Sequence, residues 1–335
     1  MIIREAIPED YRAIAKIWEA CFTDDLYYIE NYIKYCLPFS RCLIVEISPG
    51  IIVSSLSLIP SFVIEKNIRY NGFYLYAVGT LPEYRGNSFS SQLLNRALQI
   101  SREENISYII VRPATESLYT LYNKLGFNHT LLEEVVEISV ANIPDNKHNK
   151  LINRNLTGED LLILRNSSSG ILPENSFDRP NIVQADCVNS IICKEELSYP
   201  KHYDIPIQIE GNKFLWPLPV LKYAILEALE RKGLCLIIEN LDSKNNNNLY
   251  FLSYPDENDS TTINILESNF HSMDDLSIIS KFILNKYPET KLLRIFLGSE
   301  SNILNGKKKR AGLILSFKED NPYSLQHKRL FLPLE

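Results

Sequence analysis

A short run of small and polar residues in the first third of the chain joins an apolar strand to a helix. The run is Arg85-Gly86-Asn87-Ser88-Phe89-Ser90, and it follows Val78-Gly79-Thr80 and a turn marked by Pro82. The first backbone N–H groups of a helix have no partner inside it, and its aligned peptide dipoles place about half a positive charge there. Small residues let a ligand approach this backbone closely. The pattern therefore predicts a binding site for a phosphate or pyrophosphate group.

A tyrosine in a second segment could supply a proton. The segment is Leu121-Tyr122-Asn123-Lys124-Leu125-Gly126-Phe127. It reads as the end of a helix that begins near Ser117, because a glycine often terminates a helix. A tyrosine hydroxyl can donate a proton or a hydrogen bond. Taken alone, however, such a tyrosine is more often a packing residue with its hydroxyl at the surface.

Together these segments resemble the motifs of the GNAT superfamily of acetyl-CoA-dependent N-acetyltransferases. The loop pattern of that family is Arg/Gln-x-x-Gly-x-Gly/Ala after a Pro-x-Tyr-Arg turn, and this chain has Ser88 and Ser90 in place of the two later glycines. The tyrosine segment matches the family's Leu-Tyr-x-Lys-Leu-Gly-Phe. The opening Ile3-Arg4-Glu5-Ala6 with Asp10 is similar to the family's first strand and helix. The resemblance covers roughly residues 2–140, in the order of the family.

The resemblance implies that the chain uses acetyl-CoA as a co-substrate. The implied contacts with the coenzyme come from Val78, Gly79, Thr80, Arg85, Gly86, Asn87, Ser88, Phe89, Ser90 and Thr115. Thr115 stands where the family often has an asparagine that contacts the coenzyme arm. Strands at 73–80 and 108–111 would separate and take the pantetheine between them. Exposed backbone groups of Val78 and Thr80 would then pair with its amides.

The resemblance also implies acetyl transfer to an amine. A backbone N–H near Gly79 would polarise the acyl carbonyl, and Tyr122 would be the general acid that protonates the departing thiolate. The family often uses a glutamate near the fourth strand as base, through water, but residues 73–80 contain no carboxylate. The candidates that stay open are Glu65, Glu83, Tyr76 and the C-terminal carboxylate of Glu335.

The two serines change the loop in one of two ways. A serine adds a Cβ and a hydroxyl, so it either crowds a pyrophosphate or donates an additional hydrogen bond to it. Backbone conformations that only glycine adopts easily would be lost at these positions, although a helical backbone does not require glycine. We expect the loop to bind the coenzyme, with reduced affinity.

The order of strand and helix signals predicts an α/β fold, in detail an α+β mixed sheet in a tandem GNAT-like arrangement. The polar stretch 143–150 separates a predicted acetyltransferase domain, residues 1–142, from a second GNAT-like domain, residues 151–335. The second half repeats the order strand, strand, strand, helix, strand, loop, strand. It has Ser268-Asn269-Phe270-His271-Ser272 where a phosphate loop would stand. We therefore expect this half to have lost coenzyme binding and to shape the acceptor pocket.

Local signals add two finer expectations. Residues 51–59 and 61–66 would be separate strands on either side of Pro60. The basic run Lys307-Lys308-Lys309-Arg310 would be a solvated loop that precedes a last strand at 311–317.

Composition narrows the classes of function. The chain has 335 residues, of which 35 are basic and 41 acidic, a net charge of 35 − 41 = −6 without a long basic stripe. A nucleic-acid partner is therefore not expected. No stretch reaches the roughly 20 apolar residues that cross a bilayer, so no membrane partner is expected. Scattered histidines and cysteines without a CxxC pair predict no metal site and a reducing, cytoplasmic location.

The expected acceptor is a small-molecule or peptide amine, and the negative net charge favours a cationic one. Two other classes of protein stay open. Aminoacyl-tRNA-dependent peptidoglycan enzymes also pair two GNAT-like halves, but they would need a basic tRNA-binding surface or a coiled-coil arm. A non-catalytic acyl-CoA-binding or scaffold protein is favoured by Ser88 and Ser90.

Overall fold

The computed structural model describes residues 1–65, 68–146, 151–166, 214–240, 248–298 and 306–317. The chain forms two compact units. The described part of the first unit comprises residues 1–133, 214–223 and 309–317, and that of the second comprises the other described residues. The division into domains 1–142 and 151–335 stays a prediction.

The first half of the chain alternates strands and helices. Its strands are β1 (Ile2–Glu5), β2 (Arg41–Ser48), β3 (Ile51–Glu65), β4 (Ile68–Thr80), β5 (Tyr108–Val111) and β6 (His129–Ser139). Its helices are α1 (Tyr11–Cys21), α2 (Leu26–Asn31), α3 (Phe89–Glu103) and α4 (Glu116–Lys124). A π-helical turn, Tyr32–Cys36, extends α2, and short 3-10 turns precede α1 and α3.

The second half follows a similar order. Its strands are β7 (Leu151–Asn155), β8 (Leu234–Asn240), β9 (Leu249–Pro255), β10 (Thr262–Ser268), β11 (Leu292–Gly298) and β12 (Lys307–Ser316). Its helices are α5 (Gly158–Asn166), α6 (Leu218–Glu230) and α7 (Met273–Lys286). From β8 to β12 the described elements have the order that the sequence predicts for this half.

An arginine and an aspartate join β1 to α1. Arg4 donates to both carboxylate oxygens of Asp10, at 2.6 and 3.0 Å, and the N–H of Ile7 donates to the same carboxylate at 2.8 Å. The second unit repeats this arrangement after β7, where Arg154 donates to Asp160 at 2.6 and 2.9 Å. In both places the arginine precedes the aspartate by six residues. We call each arrangement an Arg–Asp clasp.

The sheet of the first unit is mixed. Strands β1 to β4 pair antiparallel in chain order, β4 and β5 are parallel, and β12 pairs antiparallel with β5. The expectation of separate strands around Pro60 is wrong, since β3 is continuous. Pairing with β2 ends at Leu58. Among the described residues, Pro60 lies between this end and the bridge of Phe62 to Leu215 on the same edge of β3, and a strand tolerates a proline there because no ladder bond is lost.

The basic run near the C-terminus is also placed differently from its prediction. Lys307-Lys308-Lys309-Arg310 are the first four residues of β12, so the strand begins earlier than expected. Farther along, Leu313 pairs with Val111, and Ser316 pairs with Tyr108. The continuous buried run from Ala311 to Leu315, rather than the charge of the first four residues, determines where this strand packs.

Two apolar layers cover the sheet of the first unit. On one face, α3 and α4 bury Leu93, Ala97 and Tyr122 against Leu75 and Val111. The other layer is an aromatic cluster that joins α1, α2, β4 and α6. Its members are Trp18, Tyr28, Tyr32, Tyr74, Tyr76, Trp216 and Tyr223.

The second unit has the same pairing scheme. Strands β7 to β10 pair antiparallel and β10 pairs parallel with β11. Helix α7 packs Leu276, Ile279 and Ile283 into the core. Across the described ranges of the chain, we find no helix with the length and apolar character that a membrane span requires.

Candidate active site

The parallel strands β4 and β5 separate at the centre of the first unit. Their pairing runs from Gly72 opposite Tyr108 to Leu75 opposite Val111, where β5 ends. Strand β4 continues to Thr80 with β3 as its partner. Between Tyr76 and Gly79 it has one residue more than β3, a β-bulge, and Ala77 there has a φ of 48°. A bulge bends its strand locally, and beyond Leu75 β4 no longer pairs with β5. We call the side of β4 that is unpaired from here to Thr80 the gap.

The turn after β4 presents unpaired backbone N–H groups. Helix α3 begins at Phe89, and its first hydrogen bond runs from the N–H of Gln92 to the carbonyl of Ser88 at 3.0 Å. Within the described residues, the six consecutive N–H groups from Gly86 to Ser91 donate to no other group. The side chains of residues 85–88 are exposed, so none of them is buried in the turn.

Ser88 adopts a backbone conformation that glycine usually supplies. Its φ is 59°, in the left-handed region, and Gly86 nearby has a φ of 84°. The expectation that a serine would lose this conformation is wrong for Ser88, which adopts it at a steric cost. Ser90 lies in the first turn of α3, where a helical backbone suits any residue.

Arg85 turns its side chain toward β4. Its Nε donates to the carbonyl oxygen of Thr80 at 3.3 Å, and Nη2 lies 3.9 Å from Sγ of Cys21. The Cys21 thiol donates to the same carbonyl at 3.2 Å. Two side chains therefore already donate to the Thr80 carbonyl. The pairing of the backbone groups of Val78 and Thr80 with the coenzyme amides stays a prediction. Asn87 supports the turn instead, since its Nδ2 donates to the carbonyl of Tyr84 at 2.9 Å.

Tyr122 lies in the apolar layer that α3 and α4 form on the sheet. Its ring packs edge-on against Phe127, with 5.5 Å between ring centroids. Val78 and Phe89 pack against the same cluster, so these three predicted residues belong to one apolar layer. Burial raises the pKa of Tyr122 to about 12. Its hydroxyl therefore carries its proton throughout the neutral pH range.

Thr115 lies at the start of α4, outside that apolar cluster. It is the N-cap residue, and its side chain makes no capping bond to the helix. Its hydroxyl lies 2.9 Å from that of Ser117. The side chain is exposed, so its predicted contact with the coenzyme arm stays a prediction.

The candidate bases differ in how well the structure suits them. The hydroxyl of Tyr76 lies 2.8 Å from that of Tyr28. Burial, together with the charges of neighbouring tyrosines, raises the pKa of Tyr76 well above 10. Its phenolate is therefore not populated at neutral pH, which argues against Tyr76 as the base. Glu83 is exposed on the turn after β4. The side chain of Glu65 and residue 335 lie outside the described part of the chain.

Sequence reasoning missed the aromatic cluster and the polar residues around it. Trp18 donates through Nε1 to the carboxylate of Asp24 at 2.7 Å, and Asp25 caps α2 by accepting from the N–H of Tyr28 at 2.7 Å. The spacing of Tyr74 and Tyr76 along β4 indicates that one face of this strand is aromatic. It does not show which helices cover that face of the sheet.

The second unit has a counterpart of this site in which side chains of the turn and the helix accept from two of its backbone N–H groups. Strand β10 has a bulge between Ile265 and Glu267, directly after its parallel pairing with β11 ends. At the start of α7, the Ser272 hydroxyl accepts from the N–H of Asp275, and the Asp275 carboxylate accepts from the N–H of His271. A carboxylate thus occupies the helix terminus that a phosphate would need.

A comparison with protein families agrees with this geometry. Residues 2–130 match the model of the acetyltransferase (GNAT) domain. No curated protein matches the sequence.

Solved structures share the fold over most of the chain. One is a conserved protein of unknown function from Enterococcus faecalis V583, described as a probable N-acyltransferase, with a TM-score of 0.63, 13% identity, and coverage of 93% of this chain and 72% of that chain. Another is a GCN5-related N-acetyltransferase from Kribbella flavida, with a TM-score of 0.60, 11% identity, and coverage of 93% and 70%. A tandem GNAT protein from the clavulanic acid biosynthesis pathway has a TM-score of 0.52, 9% identity, and coverage of 96% and 99%.

Residues 2–130 therefore match the GNAT acetyltransferase domain, and the chain as a whole shares the fold of solved GNAT proteins, a tandem one among them.

Proposed function

We propose that the chain is an acetyl-CoA-dependent N-acetyltransferase that moves an acetyl group to a primary amine. The observation that carries the proposal is the row of unpaired N–H groups from Gly86 to Ser91, at the end of the strand that borders the gap. Consecutive donors of this kind, at the N-terminus of a 15-residue helix, bind phosphate oxygens.

The residues of the turn fit a pyrophosphate. Gly86 has open space where a Cβ would be, so a phosphate can approach the backbone there. The hydroxyl of Ser88 makes no capping bond to α3, which leaves it able to donate to a phosphate oxygen. The Arg85 guanidinium, held near Thr80, adds a positive charge beside the turn. Of the two effects expected for the serines, these features favour an additional hydrogen bond to the pyrophosphate over crowding of it.

The gap and Tyr122 supply the chemistry of transfer. Acetyl-CoA supplies an activated acetyl thioester when it is bound. Donors at the end of β4 polarise its carbonyl oxygen. The amine nitrogen then forms a bond to the carbonyl carbon while the bond to sulfur breaks, and Tyr122 gives its proton to the departing sulfur. Water or a base accepts the proton that the amine loses.

The raised pKa of Tyr122 suits this role. A pKa of about 12 keeps the hydroxyl protonated, so it is a permanent hydrogen-bond donor at neutral pH. Apolar surroundings also raise the pKa of a thiol. A thiolate that leaves in such surroundings is therefore a stronger base than in water, which favours proton transfer from this tyrosine.

The aromatic cluster favours a cationic amine as the acceptor. Tyr76, one residue before the bulge, is half-buried, while Trp18 and Tyr28 beside it are buried. Aromatic faces attract ammonium groups, and the exposed Asp24 carboxylate adds a negative charge at their edge. These residues support a small-molecule or peptide amine that arrives with a positive charge and loses a proton before it reacts.

Calorimetry and turnover test the proposal. We expect the full-length chain to bind acetyl-CoA in isothermal titration, and to release CoA faster when cationic primary amines are added. Absence of both heat and a thermal shift at millimolar acetyl-CoA would contradict coenzyme binding. Binding without turnover on an amine panel would instead favour a non-catalytic acyl-CoA-binding protein.

The variant Tyr122→Phe tests the general acid. Loss of the hydroxyl should lower kcat by about 100-fold or more, because general acid catalysis contributes that much, and leave the affinity for acetyl-CoA unchanged. Tyr119→Phe, in the same buried helix face one turn earlier, is the matched control and should keep the activity. Equal rates for Tyr122→Phe and wild type would remove Tyr122 from catalysis.

A further inference from the structure

The hydroxyl of Ser54 lies on β3 opposite the end of β4. Ser54 is fully buried and pairs in register with Thr80. Its Oγ donates to the carbonyl oxygen of Gly79 at 2.7 Å and lies 2.8 Å from Oγ1 of Thr80. A buried side chain from a neighbouring strand therefore holds the backbone directly after the bulge.

The register shows which way this backbone points. The N–H of Leu81 donates to the carbonyl of Val53 at 3.0 Å, so these two residues form a hydrogen-bonded pair. Such pairs alternate with non-hydrogen-bonded pairs along an antiparallel ladder. The next pair, Ser54 and Thr80, is then of the second kind, and the N–H of Thr80 points away from β3. It faces the gap, because the pairing of β4 with β5 ends at Leu75.

One peptide unit connects this N–H with Ser54. The carbonyl of Gly79 and the N–H of Thr80 belong to the same planar group and point in opposite directions. A hydrogen bond that holds the carbonyl toward Ser54 therefore holds the N–H toward the gap. It also makes that N–H a stronger donor, because hydrogen bonds in a chain polarise one another.

The surroundings leave this peptide little freedom to rotate. Cys21 and Arg85 hold the next carbonyl, that of Thr80. On the other side, a Cβ added at Gly79 would lie 3.0 Å from the side chain of Ile17 and 3.2 Å from Sγ of Cys21. The peptide between Gly79 and Thr80 is thus fixed by groups from α1, β3 and the turn.

We propose that Ser54 is a positioning residue for acyl transfer, which aims the N–H of Thr80 at the carbonyl oxygen of the bound thioester. The inference rests on the proposed function. Ser54 itself gives up no proton and forms no bond to the substrate. Its effect is on the direction and strength of one backbone donor.

Infrared spectroscopy of bound acetyl-CoA, labelled with carbon-13 at the acetyl carbonyl, tests this effect without an amine. We expect the carbonyl stretch to lie at lower frequency on the wild-type protein than in solution, because a donor weakens the C=O bond. The shift should shrink in Ser54→Ala. The shift should be intermediate in Ser54→Cys, because this variant keeps the packing but has only a weak S–H donor. If Ser54→Ala does not fold, the comparison of Ser54→Cys with wild type replaces it.

Kinetics provide the second readout. For Ser54→Ala, kcat should fall by about 10- to 100-fold, while KM for the amine and Kd for acetyl-CoA stay unchanged. The control Ser55→Ala removes a neighbouring buried hydroxyl and should match wild type in both readouts. The inference would be overturned if wild type and both Ser54 variants showed the same infrared shift. It would also be overturned if Ser55→Ala lowered kcat as much as Ser54→Ala does. Failure of the wild type to bind acetyl-CoA would instead reject the proposed function.

Discussion

Ser88 has a strained backbone conformation and lies directly before α3, in the proposed phosphate-binding turn. A left-handed φ of 59° costs an ordinary residue about 1 kcal/mol relative to glycine. The structure offers no compensating capping bond from its hydroxyl to α3. A ligand that accepts a hydrogen bond from this hydroxyl would explain why a serine stands there.

The variants Ser88→Gly and Ser90→Gly should therefore change stability in opposite directions. Glycine at 88 relieves the left-handed strain and should stabilise the fold by about 1 kcal/mol. Glycine at 90, inside the first turn of α3, should destabilise it by a similar amount. Urea unfolding of the two variants measures both effects. A loss of stability in both would show that Ser88 is not strained. Weaker acetyl-CoA binding by Ser88→Gly alone would support the serine as a phosphate donor.

At the scale of elements, a buried ion pair connects α5 with β10 in the second unit. Arg165 donates to the carboxylate of Glu267 at 2.7 Å, and the side chains are 1% and 0% exposed. The hydroxyl of Tyr250 donates to the same carboxylate at 3.0 Å. Glu267 follows the bulge of β10, so this pair lies at the place that corresponds to the end of β4 in the first unit.

Removal of one partner of this pair should be costly. Glu267→Gln removes the carboxylate charge that faces a buried guanidinium and should lower the free energy of unfolding by about 3–5 kcal/mol. The double variant Arg165→Met with Glu267→Leu removes both charges of this pair and should lose much less. The exposed pair Arg96 and Glu103, 3.5 Å apart, provides the control, since Glu103→Gln should cost under about 1 kcal/mol. Urea unfolding compares the variants. A cost for Glu267→Gln as small as that control would contradict the argument.

Local sequence signals predicted the helices and strands around the site better than they predicted which strands pair with each other. The helix of Leu93 and Ala97 follows from apolar spacing, the tyrosine helix ends before Gly126, and both occur as expected. Strand β12 beside β5 could not be predicted, because no local pattern encodes which strands pair over 200 residues. The repeat of the Arg–Asp clasp was visible as an arginine five residues before Glu-Asp, at Arg4 and Arg154. Because the two halves were compared by the order of their strands and helices alone, this repeated pattern was not predicted.

At the scale of the whole molecule, the two Arg–Asp clasps link stability to pH. The hydrogen bonds from Arg4 lower the pKa of Asp10 below 3.8. Burial alone would raise the pKa of Asp160, but hydrogen bonds from Arg154 and Thr157 outweigh it, and the net shift is downward. Both carboxyls therefore take up protons in the unfolded chain at a higher pH than in the folded chain.

Stability should accordingly fall as the pH drops below about 4, and continue to fall through the lower folded-state values. The variants Asp10→Asn and Asp160→Asn should be less stable at pH 7 and show a shallower decline in acid. Thermal midpoints between pH 6 and pH 2.5 measure this. Asp145→Asn, at a side chain 97% exposed, is the control and should follow the wild type. An unchanged slope in both clasp variants would contradict the linkage.

A fragment of residues 1–142 should not fold as a stable domain. It lacks β12, which pairs with β5 and contributes Leu313 and Leu315 to the core beside α3 and α4. It also lacks Trp216, which packs on Tyr74. The open edge of β5 should make the fragment aggregate. Circular dichroism melting compares it with the full chain, and a cooperative transition near the wild-type midpoint would show that the predicted domain is autonomous.

The placement of β12 has a consequence for synthesis on the ribosome. The first unit takes residues up to 133 from the start of the chain and resumes, for its last strand, at residue 309. Translation of the intervening 309 − 133 − 1 = 175 residues, at about 5–20 residues per second, takes about 9–35 s. During that time nascent β5 has an unfilled edge, so a chaperone that shields exposed strands would act on this protein at that stage.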